Sequence, residues 1–297
     1  MNNPLIAARD AFAARLPERR VVVNARDWGV IDTASGRPGD AGPVLLLLPG
    51  TLGRADIFWH QMADLAESGA ESGAEVGAKV RILSVSYPGS GGVADWIGDL
   101  TALLDRLGIA RVAVLGSSLG GYVAQALAAA SPDRVSHLFA ANTLASTDGI
   151  ALRPPYSLDL WREDIGVLRG GFAAAMQAWG QAHPEQGDLV AFLLAESASR
   201  IPDAEMRARL AALKEAPALP PDPRPADQTT IIDAGDDPLL PAPIRQGVRA
   251  RFPRSAVFHF ATGGHFPYIL RPALYSGLLR ARLGLGPLPR DWKDGVA

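Results

Sequence analysis

Cysteine is absent from the 297 residues of this chain. Its absence excludes disulfide bonds, thiolate zinc sites, iron–sulfur clusters and a cysteine nucleophile. A surplus of basic charge is also lacking, since 29 Lys plus Arg stand against 31 Asp plus Glu, for a net charge of -2. Nucleic-acid-binding proteins usually carry such a surplus, so nucleic acid is not an expected partner.

Long hydrophobic runs are missing as well. The longest purely apolar run near the front of the chain, 44–48, has five residues. A membrane-spanning helix needs roughly 18–20 residues, so we expect no membrane span. Residues 1–20 are interrupted by Arg9 and Asp10, which favours a short amphipathic helix over a signal peptide. Cytoplasmic localisation is therefore the expectation.

The composition is that of a folded globular protein, with 48% hydrophobic and 20% charged residues. The length permits one large domain or two ordinary ones. Eight short runs rich in β-branched residues or leucine predict strands, and most of the spaces between them carry helical patterns. The predicted strands are 20–24, 29–33, 44–48, 80–85, 112–115, 135–140, 229–233 and 256–260. The predicted helices outside residues 146–227 are 57–68, 93–107, 121–130, 244–251 and 272–283.

The middle strands are apolar throughout, which is typical of strands buried on both faces of a parallel sheet. Alternation of strand and helix predicts an α/β fold with right-handed crossovers. The first two strands are joined only by the short segment 25–27, so we expect them to form an antiparallel hairpin. Together these patterns predict a mostly parallel eight-stranded sheet flanked by helices.

One stretch, residues 146–227, interrupts the alternation. It carries helical patterns at 171–182, 187–199 and 204–216, followed by a proline-rich connector, and no convincing strand. About 80 residues are too many for a plain connection. We interpret 146–227 as a helical cap over the carboxyl edge of the sheet, inserted into a core formed by 1–145 and 228–297. The alternative is extra helices packed at the side of the sheet.

A period-four repeat at residues 66–77, AESG-AESG-AEVG, precedes the fourth strand. It indicates a local duplication in a surface loop, and we expect it to be mobile and without function.

The strongest chemical signal is the sequence Gly116-Ser117-Ser118-Leu119-Gly120, which fits G-x-S-x-G between a buried strand and a helix. A tight turn at this place would project the Ser118 hydroxyl above the sheet. The amino terminus of the following helix favours a developing oxyanion, and the backbone N–H of Leu119 is a natural donor to it. The alternative is a glycine-rich turn with an incidental serine.

A serine nucleophile needs a base, and a base needs an orienting acid. His265 follows the last predicted strand and is the preferred base; His60 is the only rival kept. Asp237 follows the seventh strand and is the preferred acid, with Asp236 as runner-up. Residues at carboxyl ends of parallel strands meet at one edge of the sheet, and the order Ser118, Asp237, His265 matches that of one hydrolase class.

These motifs resemble the α/β-hydrolase superfamily over residues 21–283. The resemblance depends on LLLLPGTLG (45–53), GSSLGG (116–121), DDPLLP (236–241) and GGHFPYILRP (263–272). Within the superfamily the chain is most similar to the maspardin-like group. That similarity lies in PGTLGRADIFWHQ (49–61), SVSYP (84–88), LGSSLGGYVAQ (115–125) and GGHFPYILR (263–271).

The resemblance implies further site residues and a function. It places a second oxyanion donor at the backbone N–H of Thr51, although Pro49 replaces the usual histidine and a plain Pro-Gly turn is the alternative. Some members of the maspardin-like group lack the catalytic histidine and are discussed as binding partners of other proteins. This chain keeps His265 at that place, which favours an enzyme.

We therefore expect a serine hydrolase, with a carboxylesterase for small to medium apolar acyl esters as the leading subclass. C–C bond hydrolase and thioesterase are open alternatives, as is a non-catalytic or weakly active adaptor on a hydrolase fold. No metal or organic cofactor is implied, and we expect a monomer or homodimer that acts on a small acyl substrate. Six aromatic or thioether side chains are candidates for an apolar pocket, although core positions suit most of them: Trp96, Trp161, Phe172, Met176, Trp179 and Phe192.

Overall fold

The computed structural model describes residues 3–34, 42–67 and 80–297. Most of the repeat at 66–77 lies outside these residues, so the expectation for it stays a prediction.

Within the described residues, eight strands form one sheet, as the sequence predicts. Its strand order is β1-β2-β4-β3-β5-β6-β7-β8; β1 pairs antiparallel with β2 and β2 with β4, and every other pairing is parallel. The strands are β1 (Arg19–Val23), β2 (Arg26–Asp32), β3 (Val44–Leu48), β4 (Arg81–Ser86), β5 (Val112–Ser117), β6 (Val135–Ala141), β7 (Thr229–Ala234) and β8 (Ala256–Phe260).

The first hairpin is tighter than the sequence suggests. Val23 pairs with Arg26, and the turn consists of Asn24 and Ala25 with φ angles of 46° and 63°. Positive φ at both central residues is the two-residue turn whose twist matches that of the flanking strands. The prediction of a turn at 25–27 was therefore wrong for Arg26 and Asp27, which belong to β2.

The α-helices of the described ranges follow the order predicted from the periodicity, with bounds that shift by a few residues, except that the short helix Pro267–Leu270 was not predicted. They are α1 (Pro4–Arg15), α2 (Trp59–Glu67), α3 (Val93–Arg106), α4 (Leu119–Ala130), α5 (Ile165–Ala182), α6 (Gly187–Ala195), α7 (Asp203–Lys214), α8 (Ala242–Arg251), α9 (Pro267–Leu270) and α10 (Pro272–Arg282). None of the helices in the described ranges is long and apolar enough to cross a bilayer.

The two faces of the sheet each carry a hydrophobic core. Within β3, Leu46 and Leu48 pack into one core with α3 and α4, whereas Leu45 and Leu47 pack into the other with α2 and α10. Successive side chains of a strand point to opposite faces, so a strand covered on both faces must be apolar at every position. The unbroken leucine run therefore has a direct structural cause.

The helical insertion, residues 146–227, lies between β6 and β7. It contains α5, α6, a π-helical turn (Glu196–Arg200) and α7, and no strand occurs between 142 and 228, all of which are described. A small third core, which includes Leu52, Leu168, Met206 and Leu210, joins this segment to the loop after β3.

Charged pairs also attach the helical insertion to the amino-terminal part of the chain. The buried face of α1 contains Phe12 and, unexpectedly for an amphipathic helix, Arg9. Arg9 forms an ion pair with the fully buried Glu196, which also binds Arg200; Arg200 in turn binds Asp56 at 2.6 Å. Arg9 can be buried because this partner satisfies its charge.

Candidate active site

Ser118 occupies the sharp turn between β5 and α4. Its backbone has φ 55° and ψ −120°, a conformation that L-residues rarely adopt. Two carbonyls at the end of β6 hold it there: the Ser118 N–H donates to Ala141 at 3.2 Å and to Asn142 at 3.0 Å. Such strain costs about 1–3 kcal/mol and persists only where the surroundings enforce it.

The two glycines of the motif are required by close backbone contacts. A Cβ on Gly116 would lie 1.9 Å from the carbonyl oxygen of Gly120, and a Cβ on Gly120 would lie 2.0 Å from that of Leu48. Neither backbone has room to move away, because both belong to the sheet or to the turn itself. The G-x-S-x-G spacing is therefore the steric condition for bringing Ser118 above the sheet at this turn.

His265 and Asp237 form a buried pair. The Nδ1 atom of His265 lies 2.8 Å from Oδ2 of Asp237, and both residues are 5% exposed. The other carboxylate oxygen, Oδ1, accepts the backbone N–H groups of Leu239 at 2.9 Å and Leu240 at 3.1 Å. This geometry favours the tautomer in which His265 donates from Nδ1 and keeps Nε2 free to accept a proton.

The environment of Asp237 favours its charged form. Burial alone would raise its pKa, but the charge and hydrogen bond of His265, together with bonds from Asn142 and Leu239, outweigh burial and lower the pKa. A carboxylate that accepts several hydrogen bonds stays ionised at neutral pH. Asp237 can therefore hold a positive charge on His265 when one forms.

Asn142 was not foreseen as a site residue. Its Nδ2 donates to Oδ2 of Asp237 at 2.9 Å and to the carbonyl of Gly264 at 3.3 Å, while its buried Oδ1 has no partner in the described part of the chain. Its backbone has a φ of 38°, and it follows β6 directly. The signal available in the sequence was a polar residue at the carboxyl end of a strand next to β7.

Asp236, the runner-up acid, lies elsewhere. Its carboxylate accepts the backbone N–H groups of Gly263 at 3.0 Å and Gly264 at 2.8 Å, which stabilises the turn before His265. Asp233 is paired with Arg249 at 2.7 Å and with His259. Of these neighbouring aspartates, Asp237 is the one that the structure brings against His265.

The remaining histidines have other surroundings. The Nε2 atom of His137 lies 2.8 Å from the Thr230 hydroxyl, and burial, helped by nearby arginines, lowers the pKa of His137 to about 3. His60, the rival base, has its ring centroid 4.7 Å from that of Trp59, and burial lowers its pKa. His60 does not line the cavity that contains Ser118.

The two expected oxyanion donors lie close to Ser118 in the structure. Leu119 is the first residue of α4, where backbone N–H groups have no partner within the helix. On the other side, loop 49–53 passes against Ser118, since a Cβ on Gly50 would lie 3.1 Å from the Ser118 Cβ. Thr51 follows Gly50 and lines the same cavity as Ser118 and His265.

A cavity of about 940 Å³ opens at this edge of the sheet. Half of its wall comes from the helical insertion, and the wall is mainly apolar; Asp148 and Arg153 are its charged side chains. Ser118 and His265 both line it, although the structure records no hydrogen bond between these two described residues. In unliganded hydrolases this bond is often long and tightens only when substrate binds.

The candidate pocket aromatics divide into two groups. Phe172 and Met176, both on α5, line the cavity, whereas four others do not. Those four are Trp96, which packs in the core; Phe192, which packs on Trp59; Trp179, which stacks on His183; and Trp161, which is 53% exposed.

Tyr156 lines the cavity and was not foreseen. Burial raises its pKa to about 12, despite the opposing effect of its hydrogen bond with the Thr51 side chain. Its hydroxyl is therefore neutral at physiological pH and remains a hydrogen-bond donor beside loop 49–53.

Comparisons with known proteins agree with this architecture. Maspardin from Danio rerio is 24% identical over 273 residues, which cover 88% of this chain and 81% of maspardin. RutD from Klebsiella pneumoniae, a carbamate hydrolase whose name marks the assignment as provisional, is 26% identical over 280 residues, 86% of this chain and 96% of RutD. The crystal structure of an enol-lactonase from Burkholderia xenovorans superimposes with a TM-score of 0.70 at 18% identity, covering 90% of this chain and all of the lactonase, 100%.

The alpha/beta hydrolase fold family matches residues 43–272, which contain the strands β3 to β8 and the helical insertion. This match covers most of the chain and includes the turn at Ser118, the aspartate of the buried pair and its histidine. The chain therefore belongs to the α/β-hydrolase fold family.

Proposed function

We propose that this chain is a serine hydrolase, and specifically a carboxylesterase that acts on small to medium apolar acyl esters. The observation that carries the proposal is the His265–Asp237 pair, with a fully hydrogen-bonded carboxylate, in the same cavity as Ser118 at its strained turn. A histidine held by a carboxylate, in one cavity with a serine at a strained turn, supplies the base, the orienting acid and the nucleophile that acyl transfer requires.

In the proposed mechanism, the Ser118 hydroxyl oxygen attacks the ester carbonyl while His265 Nε2 accepts the hydroxyl proton. The N–H groups of Thr51 and Leu119 stabilise the oxyanion. The tetrahedral adduct collapses, and the C–O bond to the alcohol breaks as His265 returns the proton to the leaving oxygen. Water then attacks the acyl-enzyme with His265 as base again, releasing the acid and free Ser118.

The substrate class follows from the cavity. A volume of about 940 Å³ with a mainly apolar wall is within the range of small-molecule sites, and suits an acyl chain better than a sugar or a phosphate. We propose that residues 146–227 act as the cap that supplies half of this wall, on a core formed by 1–145 and 228–297. Phe172 and Met176 would contact the acyl chain.

The same triad would serve thioester, carbamate or C–C substrates. RutD is named for carbamates, and its similarity to this chain makes a carbamate ester a substrate to include in the test. The similarity to maspardin favours one alternative of another kind, a binding protein with little or no catalytic activity.

The test is turnover of p-nitrophenyl esters of graded chain length, together with labelling by a fluorophosphonate probe. We expect turnover and labelling in the wild type and neither in Ser118→Ala, because loss of a triad member lowers turnover by several orders of magnitude. Ser146→Ala is the matched control, since Ser146 lines the same cavity outside the proposed triad and should keep both.

The alternatives give different results. Faster turnover of thioester, carbamate or C–C substrates than of any ester would retain the triad and replace the substrate class. Folded wild-type protein without turnover or labelling would refute the hydrolase proposal and favour a binding protein.

A further inference from the structure

Arg209 is a completely buried arginine, 0% exposed, that plays no part in the proposed triad. It lies on α7 within the helical insertion, yet its Nη1 reaches across to the loop after β3. There it donates to the backbone carbonyls of Thr51 at 3.1 Å and Gly53 at 2.6 Å. Its other nitrogen, Nη2, binds Glu205 at 3.1 Å.

The carbonyls of this loop are almost all held in place. The Tyr87 hydroxyl donates to the Pro49 carbonyl at 3.0 Å, and the Gly53 N–H donates to the Gly50 carbonyl at 3.1 Å. Arg209 holds the carbonyls of Thr51 and Gly53 and lies 5.6 Å from the centre of the Tyr87 ring. Each peptide unit is planar, so the Thr51 N–H turns with the Gly50 carbonyl, which the Gly53 N–H holds, while Arg209 fixes the next peptide plane through the Thr51 carbonyl. With the planes on both sides of the Thr51 Cα held, the direction of the Thr51 N–H is fixed.

Burying a guanidinium at this place is costly. Burial lowers the pKa of Arg209 to about 10, although Glu205 acts in the opposite direction, and the Arg209 Nε has no hydrogen-bond partner among the described residues. Well-packed apolar residues often replace a buried ion pair without loss of stability, so stability alone is a weak reason for such a charge. A role in setting backbone geometry accounts for it better.

Arg207, two residues away on the same helix, provides a contrast. It also donates to two backbone carbonyls, those of Leu160 and Glu163, each at 2.6 Å. Both acceptors belong to the helical insertion itself. Arg207 therefore stabilises the helical insertion, whereas Arg209 on the same helix reaches the loop that lies against Ser118.

We propose that Arg209 is a positioning residue for the oxyanion hole: it ties α7 of the helical insertion to loop 49–53 and so holds the Thr51 N–H where the oxyanion forms. The inference depends on the proposed esterase function. It also gives the insertion a second task, since a displacement of α7 would move the oxyanion donor together with the cavity wall.

The experiment compares Arg209→Met, Arg209→Lys and the control Arg207→Met. Each variant is assayed for kcat and KM with the best p-nitrophenyl ester, for inhibition by a trifluoromethyl ketone, which forms an oxyanion on the nucleophile, and for Tm. Removal of an oxyanion donor costs about 10²–10³-fold in kcat, so a displaced donor in Arg209→Met should cost ~10–10²-fold. The inhibition constant should rise by a similar factor, with KM changed less than about threefold.

Arg209→Lys keeps a donor for one of the two carbonyls and should recover part of kcat. Arg207→Met should lower Tm while leaving kcat unchanged. The inference is overturned if a folded Arg209 variant keeps wild-type kcat and ketone affinity, or if Arg207→Met loses kcat equally. Should Arg209→Met not fold, Arg209→Lys decides between these outcomes. Wild-type protein without ester turnover would instead refute the proposed function.

Discussion

The replacement Asp237→Asn removes one charge from the proposed triad and leaves the shape of the side chain nearly unchanged. The carboxylate oxygens have distinct tasks: Oδ1 accepts the backbone N–H groups of Leu239 and Leu240, and Oδ2 accepts from His265 and Asn142. An amide has one oxygen and one NH₂ group, so its orientation decides the result.

The backbone determines that orientation. If the new NH₂ group faced Leu239 and Leu240, two N–H donors would lose their acceptor, at about 1–3 kcal/mol each. The amide oxygen therefore stays at the Oδ1 position, and the NH₂ group faces His265 and Asn142. Asn142 can rotate its amide so that its oxygen, which has no partner within residues 3–34, 42–67 and 80–297, accepts from the new NH₂ group. His265 must then accept at Nδ1 and carry its proton on Nε2.

A histidine with its proton on Nε2 cannot accept one from Ser118. In serine proteases the same replacement lowers kcat by about 10⁴-fold, and we expect a loss of ~10³–10⁴-fold here. Stability should fall by about 1–3 kcal/mol, because neutral hydrogen bonds replace charge-assisted ones and the rotated Asn142 amide gives up its bond to the Gly264 carbonyl. Ester turnover measures the first quantity and urea unfolding the second.

Histidine ¹⁵N NMR supplies the direct readout, since the ring proton of His265 should move from Nδ1 to Nε2. Asp236→Asn is the matched control: its amide oxygen can keep both glycine N–H groups, so kcat should stay near wild type. Activity of Asp237→Asn within tenfold of wild type, or a proton still on Nδ1, would refute the reasoning. Loss of kcat in Asp236→Asn alone would make Asp236 the acid.

Two further predictions concern the surroundings of the pair. Burial raises the pKa of Asp237, but its hydrogen-bond partners lower it by more, so the folded pKa lies below the unfolded value of about 3.9. The ionised carboxylate therefore stabilises the fold above that unfolded pKa, and this contribution disappears as the pH falls through the folded pKa. Asn142→Ala removes one of these partners and should move the midpoint of acid unfolding, measured by circular dichroism, to higher pH. An unchanged midpoint contradicts this prediction, as does an equal shift when the substitution is made in the Asp237→Asn variant. Ala145→Phe fills part of the cavity that Ala145 lines, so the variant should prefer p-nitrophenyl esters with shorter acyl chains. The ratio of kcat/KM between short and long esters should change by roughly tenfold, which is the effect of one or a few methylene groups in a hydrophobic pocket. An unchanged chain-length profile would place the acyl chain elsewhere.

Much of the fold was readable from local patterns. The unbroken apolar run of β3 predicted a strand covered on both faces, and the alternation of strand and helix predicted a mostly parallel eight-stranded sheet; both are confirmed. The prediction was wrong at the first hairpin, where strand and turn signals overlap. Asn24 and Ala25 take the turn at positive φ, and Arg26 therefore joins β2.

Part of the candidate site lay beyond such patterns. Asn142 is 95 residues from the aspartate that it contacts, and Arg209 is 158 residues from Thr51. Nothing in the neighbourhood of either residue along the chain indicates its partner. An arginine at position 207 or 209 of α7 has the same local pattern, although one binds carbonyls within the insertion and the other reaches loop 49–53.

The sequence by itself determined the order of the chemistry-bearing motifs along the chain. It also determined the turn at Ser118, because backbone sterics over the five residues 116–120 leave little choice. Only the tertiary structure decided which aspartate meets His265. Asp236 and Asp237 are adjacent, and a peptide turn sends one carboxylate to the glycine N–H groups and the other to the histidine. Such choices depend on how separate strand ends are placed in space, and sequence spacing carries no record of that placement.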